Sequence, residues 1–106
     1  MLMAWSGATD DQYDQVMELL GLDQNPPEGA LFHVAGTDGG TLRVLDIWES
    51  EAAWNQFLES RLQPAIEQAG IDGQPDVRLY PVHNVYAPAI DEIRRIGTSS
   101  LAGANV

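Results

Sequence analysis

The chain has no cysteine and no lysine. Without cysteine there is no disulfide, no thiolate nucleophile and no Cys-ligated metal. Without lysine there is neither a Schiff base nor an amine general base. Positive charge of any kind is scarce. Five arginines (Arg43, Arg61, Arg78, Arg94 and Arg95) stand against sixteen acids, a formal net charge of −11 over 106 residues. No basic patch is available to displace counterions from phosphates, which argues against nucleic acid and membrane surfaces as partners. The same balance favours neutral or cationic small molecules. His33 and His83 are the only histidines; with no H-x-H or H-x-x-x-H spacing, no metal site is expected. No G-x-G-x-x-G, Walker or G-x-S-x-G sequence occurs, so nucleotide binding and acyl-serine chemistry have no support. No apolar run approaches the roughly 20 residues of a membrane span. MLMAWSGATDD (1–11) lacks the basic region of a signal peptide. The expectation is a soluble, cytoplasmic domain.

What is present is enough for a core. The hydrophobic content is 44%, and a domain of this size buries roughly two-thirds of the surface its unfolded chain exposes. Residues 1–6 read as a short apolar strand ended by Gly7. Thr9 is an N-cap, Asp10 and Asp11 complement the helix dipole, and Tyr13, Val16, Met17 and Leu20 recur at helical spacing until Gly21. DQNPPEG (23–29) is a loop. ALFHVA (30–35) reads as a strand, GTDGGT (36–41) as a hairpin turn and Leu42–Glu49 as the returning strand. Ser50 caps a second helix whose buried stripe includes Ala53, Trp54, Phe57, Leu58, Leu62 and Ile66. Gly70 stops this helix, and Pro64 should bend or break it after Leu62 or Gln63. VRLYPVHNVY (77–86) is a long strand placed at a sheet edge by Pro81. Residues 1–86 form a single domain, and 87–106 form a short C-terminal helix opened by Pro88 followed by a flexible tail.

The order β-α-β-β-α-β predicts a ferredoxin-like α+β fold with a four-stranded antiparallel sheet in the order 4-1-3-2. The strands at 30–35 and 77–86 then lie on opposite edges. The hairpin is apolar on both faces, with Leu45 and Ile47 on one side and Leu42, Val44 and Trp48 on the other. Two helices cover only one face of such a sheet. The cheapest cover for the second face is another copy of the sheet, which predicts a homodimer.

Three segments carry a resemblance: DIWESEAAWNQFLESRLQPAIEQAG (46–70), ALFHVAG (30–36) and VRLYPVHNVY (77–86). In these the chain resembles the dimeric α+β barrel superfamily, and within it small proteins of the antibiotic-biosynthesis-monooxygenase-like group. The resemblance implies two sheets packed into a barrel, with a ligand pocket between each protomer's sheet and helices. It also implies a cofactor-independent monooxygenase-like enzyme, or a related cyclase or isomerase, acting on a small aromatic or polyketide-like molecule. The haem-degrading branch is similar at Trp48, but its first-strand asparagine and second-helix histidine are missing, which argues against haem degradation.

His33 is the first candidate base. With a turn on Gly39-Gly40 it faces Asp46, and with a turn on Asp38-Gly39 it faces Val44. In the first register the Asp46 carboxylate orients the imidazole, and the pair could abstract a proton from a phenolic or enolic substrate. A buried, satisfied structural pair is the competing reading. Trp48 and Tyr13 are the favoured walls for a flat aromatic ligand, with Trp5 a further pocket residue. His83 and Asn84 point to opposite faces of the last strand, so one of them should face the pocket or reach a neighbouring protomer. The competing function class is a non-catalytic small-ligand binder or structural dimer.

Overall fold

The computed structural model describes residues 1–96. The element order is β1 (Leu2–Ser6), α1 (Asp10–Leu20), β2 (Ala30–Asp38), β3 (Thr41–Trp48), α2 (Glu51–Phe57), a π-helical turn (Leu58–Leu62), α3 (Gln63–Ala69), β4 (Asp76–Arg78) and α4 (Ile90–Ile96). Four antiparallel strands form one sheet in the order β2-β3-β1-β4. This α+β arrangement is compatible with a ferredoxin-like fold.

Local chemistry accounts for the boundaries. At α1 the Thr9 hydroxyl accepts from the Gln12 amide at 3.1 Å, and the Gln12 side chain accepts from the Thr9 amide at 3.0 Å. That reciprocal capping box satisfies two of the helix's orphan donors. At α2 the Ser50 hydroxyl accepts from the Ala53 amide at 3.1 Å. The hairpin turns on Gly39 and Gly40, whose φ angles of +57° and +89° are the positive pair a two-residue turn requires. Strand β2 is therefore longer than ALFHVA and continues to Asp38, because the turn takes two residues only.

The second α-helix is interrupted where it was expected to be, restarting at Gln63 beside Pro64. The missing N–H of Pro64 is absorbed by the widened π turn at Leu58–Leu62, and α3 carries Pro64 in its first turn. One further expectation, the length of the last strand, is corrected. The last strand does not run from Val77 to Tyr86. It pairs with β1 only at Asp76, Val77 and Arg78, opposite Ala4, Met3 and Leu2. Strand β1 begins at Leu2, so the ladder has no template beyond Arg78, and Pro81 brings no donor to extend it. Leu79, Tyr80, Val82, Val85 and Tyr86 are consequently exposed. The C-terminal helix forms at Ile90–Ile96, but Ile90, Ile93 and Ile96 stay exposed on it. The flexible tail expected at 97–106 lies outside the described residues.

The core lies between the sheet and the helices. Trp54 is its most buried member, with 2% of its surface exposed, and Trp5, Val16, Val44, Phe57 and Leu62 join it. The strands supply this core from one face only. On the opposite face Leu2, Val34 and Leu45 are exposed, and they line an open concavity of about 570 Å³ together with Arg43, Asp76 and Arg78. Among the described residues no helix is long and apolar enough to cross a membrane.

Candidate functional site

The hairpin register decides where His33 sits. The turn on Gly39-Gly40 pairs His33 with Asp46, Val34 with Leu45 and Ala35 with Val44. Side chains alternate along a strand, so His33, Asp46 and Trp48 share the helix-covered face. A bulge at Leu31 shifts the pairing between Ala30 and Phe32 without disturbing this segment.

Four side chains join there in one hydrogen-bonded chain. His33 Nδ1 lies 2.6 Å from Asp46 Oδ1. The Trp48 indole donates to Asp46 Oδ2 at 3.0 Å. On the far side of the imidazole, the Tyr13 hydroxyl lies 2.6 Å from His33 Nε2. A carboxylate only accepts, so it assigns the ring proton to Nδ1 and leaves a lone pair at Nε2. Tyr13 then donates to that lone pair. The Tyr13 and His33 rings are nearly parallel, 7° apart, with centroids 6.0 Å from each other.

Burial is uneven along the chain. The Asp46 side chain keeps 8% of its exposure and the His33 side chain 38%, so the carboxylate is hidden while the imidazole meets solvent. Both oxygens of this buried carboxylate are satisfied, as a buried charge requires. Burial raises the Tyr13 phenol to about 12, with the charges of Asp46 and Asp14 adding to the effect. A phenol so held carries its proton across the neutral range.

The aromatic residues divide into two groups. Trp48 stacks into the core, 5.7 Å from Trp54 and 5.3 Å from Phe57 by ring centroids. Its body serves packing and its N–H serves Asp46, so it is a support for the carboxylate more than an open wall. Trp5 is buried, and its indole donates to the Asp72 carbonyl at 3.1 Å. Trp5 and Tyr13 line a small apolar cavity of about 60 Å³ between sheet and helices, with Met3, Val16, Met17 and Ile66 among its other walls. His33, Asp46 and Trp48 do not line it.

His83 and Asn84 are not brought to this site. They are exposed on the segment after β4, and β4 is the edge of the sheet opposite β2. One of them was to face the pocket or a neighbour on a continuing last strand, and that strand stops at Arg78. Among the described residues no group of three His, Cys, Asp or Glu side chains is placed to hold a metal ion.

The link missing from the sequence reading is Tyr13 as a hydrogen-bond partner. Its place on the apolar stripe of α1 marks it as facing the sheet. Nothing in that spacing says which strand residue its hydroxyl meets. The Trp48–Asp46 contact was more legible, because residues two apart on a strand share a face.

No protein-family model matches the chain, and no curated protein was found similar to it.

Proposed function

We propose that this protein is a cofactor-independent proton-transfer enzyme, monooxygenase-like or a related cyclase or isomerase, acting on a small aromatic or polyketide-like molecule. The observation that carries this reading is the His33–Asp46 pair. A buried carboxylate lies 2.6 Å from Nδ1, the Tyr13 hydroxyl lies 2.6 Å from Nε2, and the imidazole keeps 38% of its exposure. A carboxylate-oriented, partly exposed imidazole is the core of a general base, and a substrate that displaces the Tyr13 hydroxyl would meet its Nε2. A substrate carbanion formed there reacts directly with oxygen in the oxygenase case. In the cyclase or isomerase case it closes or reprotonates.

The proposed assembly is a homodimeric α+β barrel of the antibiotic-biosynthesis-monooxygenase-like type. Its support is the open sheet face, where Leu2, Val34 and Leu45 stand exposed beside half-buried Phe32 and Ile47. A contiguous apolar sheet face of this kind is an interaction surface in water. A monomeric mass by light scattering at micromolar concentration would remove the dimer.

A second reading has an observation of its own. His33 Nε2 is occupied by Tyr13, and the cavity of about 60 Å³ has room for about two waters only. On this reading the four side chains are a satisfied structural network in a non-catalytic binding or structural protein.

Anthrone separates the two. It is a tricyclic aromatic ketone with an acidic C–H, and one anthrone with one O₂ gives one anthraquinone and one water. The enzyme reading expects oxygen uptake above the buffer rate, matched one-to-one by anthraquinone, and its loss in His33→Ala at unchanged fold. An unchanged rate in His33→Ala removes this residue from catalysis. Loss of folding in that variant favours the structural network.

A further inference from the structure

We infer that residues 79–96 are an exchange arm: in the homodimer, the arm of each protomer lies across the uncovered sheet face of its partner. This rests on the homodimer reading above and names what the second copy contributes. Two apolar features are left exposed in one chain, and each suits the other. The sheet face needs a cover, because Leu2, Val34 and Leu45 stand exposed over an open concavity of about 570 Å³. The arm needs a seat. Every residue from Asp76 to Ile96 is exposed, including Leu79, Tyr80, Val82, Val85 and Tyr86. The helix that follows sharpens the point. α4 has seven residues, and a helix that short is marginal in water unless an apolar face packs on something. Ile90, Ile93 and Ile96 share one stripe of it, and none is buried.

Direction decides whose sheet the arm meets. β4 runs from Asp76, opposite Ala4, to Arg78, opposite Leu2, so the chain leaves past the N-terminal end of β1. Continuing on that course carries it off its own sheet. Returning to its own face would need a reversal, and the backbone has no turn or bend from Leu79 to Ala87. Reach is sufficient. The eight residues from Leu79 to Tyr86 span about 26 Å when extended, at roughly 3.3 Å each. Four strands spaced about 4.8 Å apart make a face about 14 Å across. The arm can therefore cross a partner's sheet before α4 begins.

Charge favours a second copy at this place and not elsewhere. Two chains of net charge −11 repel wherever their acids meet. The arm avoids that conflict, since no acid occurs between Asp76 and Asp91. The face avoids it as well: Arg43 and Arg78, two of the five arginines, line the concavity with Asp76 as the only acid beside them. When each arm occupies the other's face the contact is isologous, and it closes at two copies.

The test exploits the absence of cysteine. A nitroxide is attached to the single thiol of Asn84→Cys, and this protein is mixed with ¹⁵N-labelled wild type that carries no nitroxide. The expected result is broadening of the Leu2, Val34 and Leu45 amides in the wild-type chain. Broadening only when nitroxide and ¹⁵N share one chain, or no broadening at all, overturns the exchange. Sedimentation equilibrium at micromolar concentration adds Leu45→Asp, Val82→Asp and Ile93→Asp, each checked for fold by circular dichroism. Val82 and Ile93 are exposed in the protomer, so their substitution leaves its core untouched. The expected wild-type mass is twice 11.6 kDa. Each variant should raise the dimer dissociation constant about 10-fold or more, because each would bury a carboxylate in the interface. A dimer weakened by Leu45→Asp but not by Val82→Asp or Ile93→Asp overturns the arm and keeps a sheet-face dimer. A monomeric wild type brings down the homodimer reading and the arm with it.

Discussion

Replacing Asp46 by asparagine should change a proton's address more than it changes stability. Asp46 is buried and accepts two hydrogen bonds, from His33 Nδ1 at 2.6 Å and from Trp48 Nε1 at 3.0 Å. The side-chain amide introduced by Asp46→Asn offers the same shape with one acceptor and one donor. Trp48 can only donate, so it keeps the amide oxygen, and the amide NH₂ turns to His33. The ring must then present a lone pair at Nδ1 and carry its proton at Nε2, where it donates to the Tyr13 oxygen. The imidazole and the indole stay paired while the Tyr13 O–H turns to water, and the expected loss of stability is about 1 kcal/mol. Asp46→Ala is different, because both donors lose their acceptor. Each unpaired donor costs about 1–3 kcal/mol when buried, and His33, being partly exposed, recovers some of this from water. The expected loss is therefore about 2–3 kcal/mol, measured by urea unfolding. The tautomer is read from two-bond nitrogen–proton correlations of ¹⁵N-histidine at a pH where the ring is neutral. The wild type should show the proton on Nδ1 and Asp46→Asn should show it on Nε2. A wild-type ring protonated on Nε2, or a ring unchanged by the substitution, refutes these hydrogen-bond directions.

Trp54→Ala should cost about 3–5 kcal/mol in urea unfolding, since Trp54 is only 2% exposed and packs on Trp48 and Phe57; a cost below about 1 kcal/mol would mean that the core closes elsewhere. Tyr13 ties stability to alkaline pH. Its folded value, about 12, lies above the ordinary 10, so its contribution is complete below pH 10 and is lost as pH rises from 10 to 12. The difference corresponds to about 2.7 kcal/mol at most, and about 1–2 kcal/mol after allowing for the partial exposure of the ring. Wild type should therefore lose more stability than Tyr13→Phe across that range, and parallel losses would count against the buried phenol. Gly29→Ala should destabilise by about 2 kcal/mol or more: φ is +86°, and a Cβ would stand 2.6 Å from that of Ala53. Thermal melts matching the wild type would show that the loop has another way to meet α2.

The order of elements and the sheet were legible because punctuation and pattern agree. Thr9, Gly21, Ser50 and Gly70 delimit the helices as their chemistry requires. The turn was decisive: placed on Gly39-Gly40 it forces His33 opposite Asp46, and the alternative on Asp38-Gly39 would have set His33 against Val44. Sequence left that choice open because both dipeptides are good turn formers. What was not legible depends on neighbours. The length of the last strand follows from how far β1 extends beside it, which VRLYPVHNVY itself does not encode. The π turn stores the effect of Pro64 one turn earlier in the helix, where LESRL carries no signal for it. Tyr13 reaches His33 through the rotation of α1 on the sheet, a quantity fixed by packing and not by helical spacing.

The site and the open face are bound together by a two-residue period. Along β2 and β3, His33 and Asp46 turn to the helices, while their immediate neighbours Val34 and Leu45 turn to the uncovered side. A register slip by a single residue would exchange them, burying valine and leucine against the helices and leaving a histidine–aspartate pair on the outer face. What opposes the slip is the loss of Leu42 and Val44 from the core, and these residues on the same face hold His33 and Asp46 inward. β2 has a partner on only one side, so that register depends on β3, the Gly39-Gly40 turn and the bulge at Leu31. Covering Val34 and Leu45 in a second copy would oppose the same slip from the other side, because their exposure is part of what the slip would relieve. In this arrangement association and site geometry are not separate properties. The side chains that would bury in an interface lie one residue from His33 and Asp46.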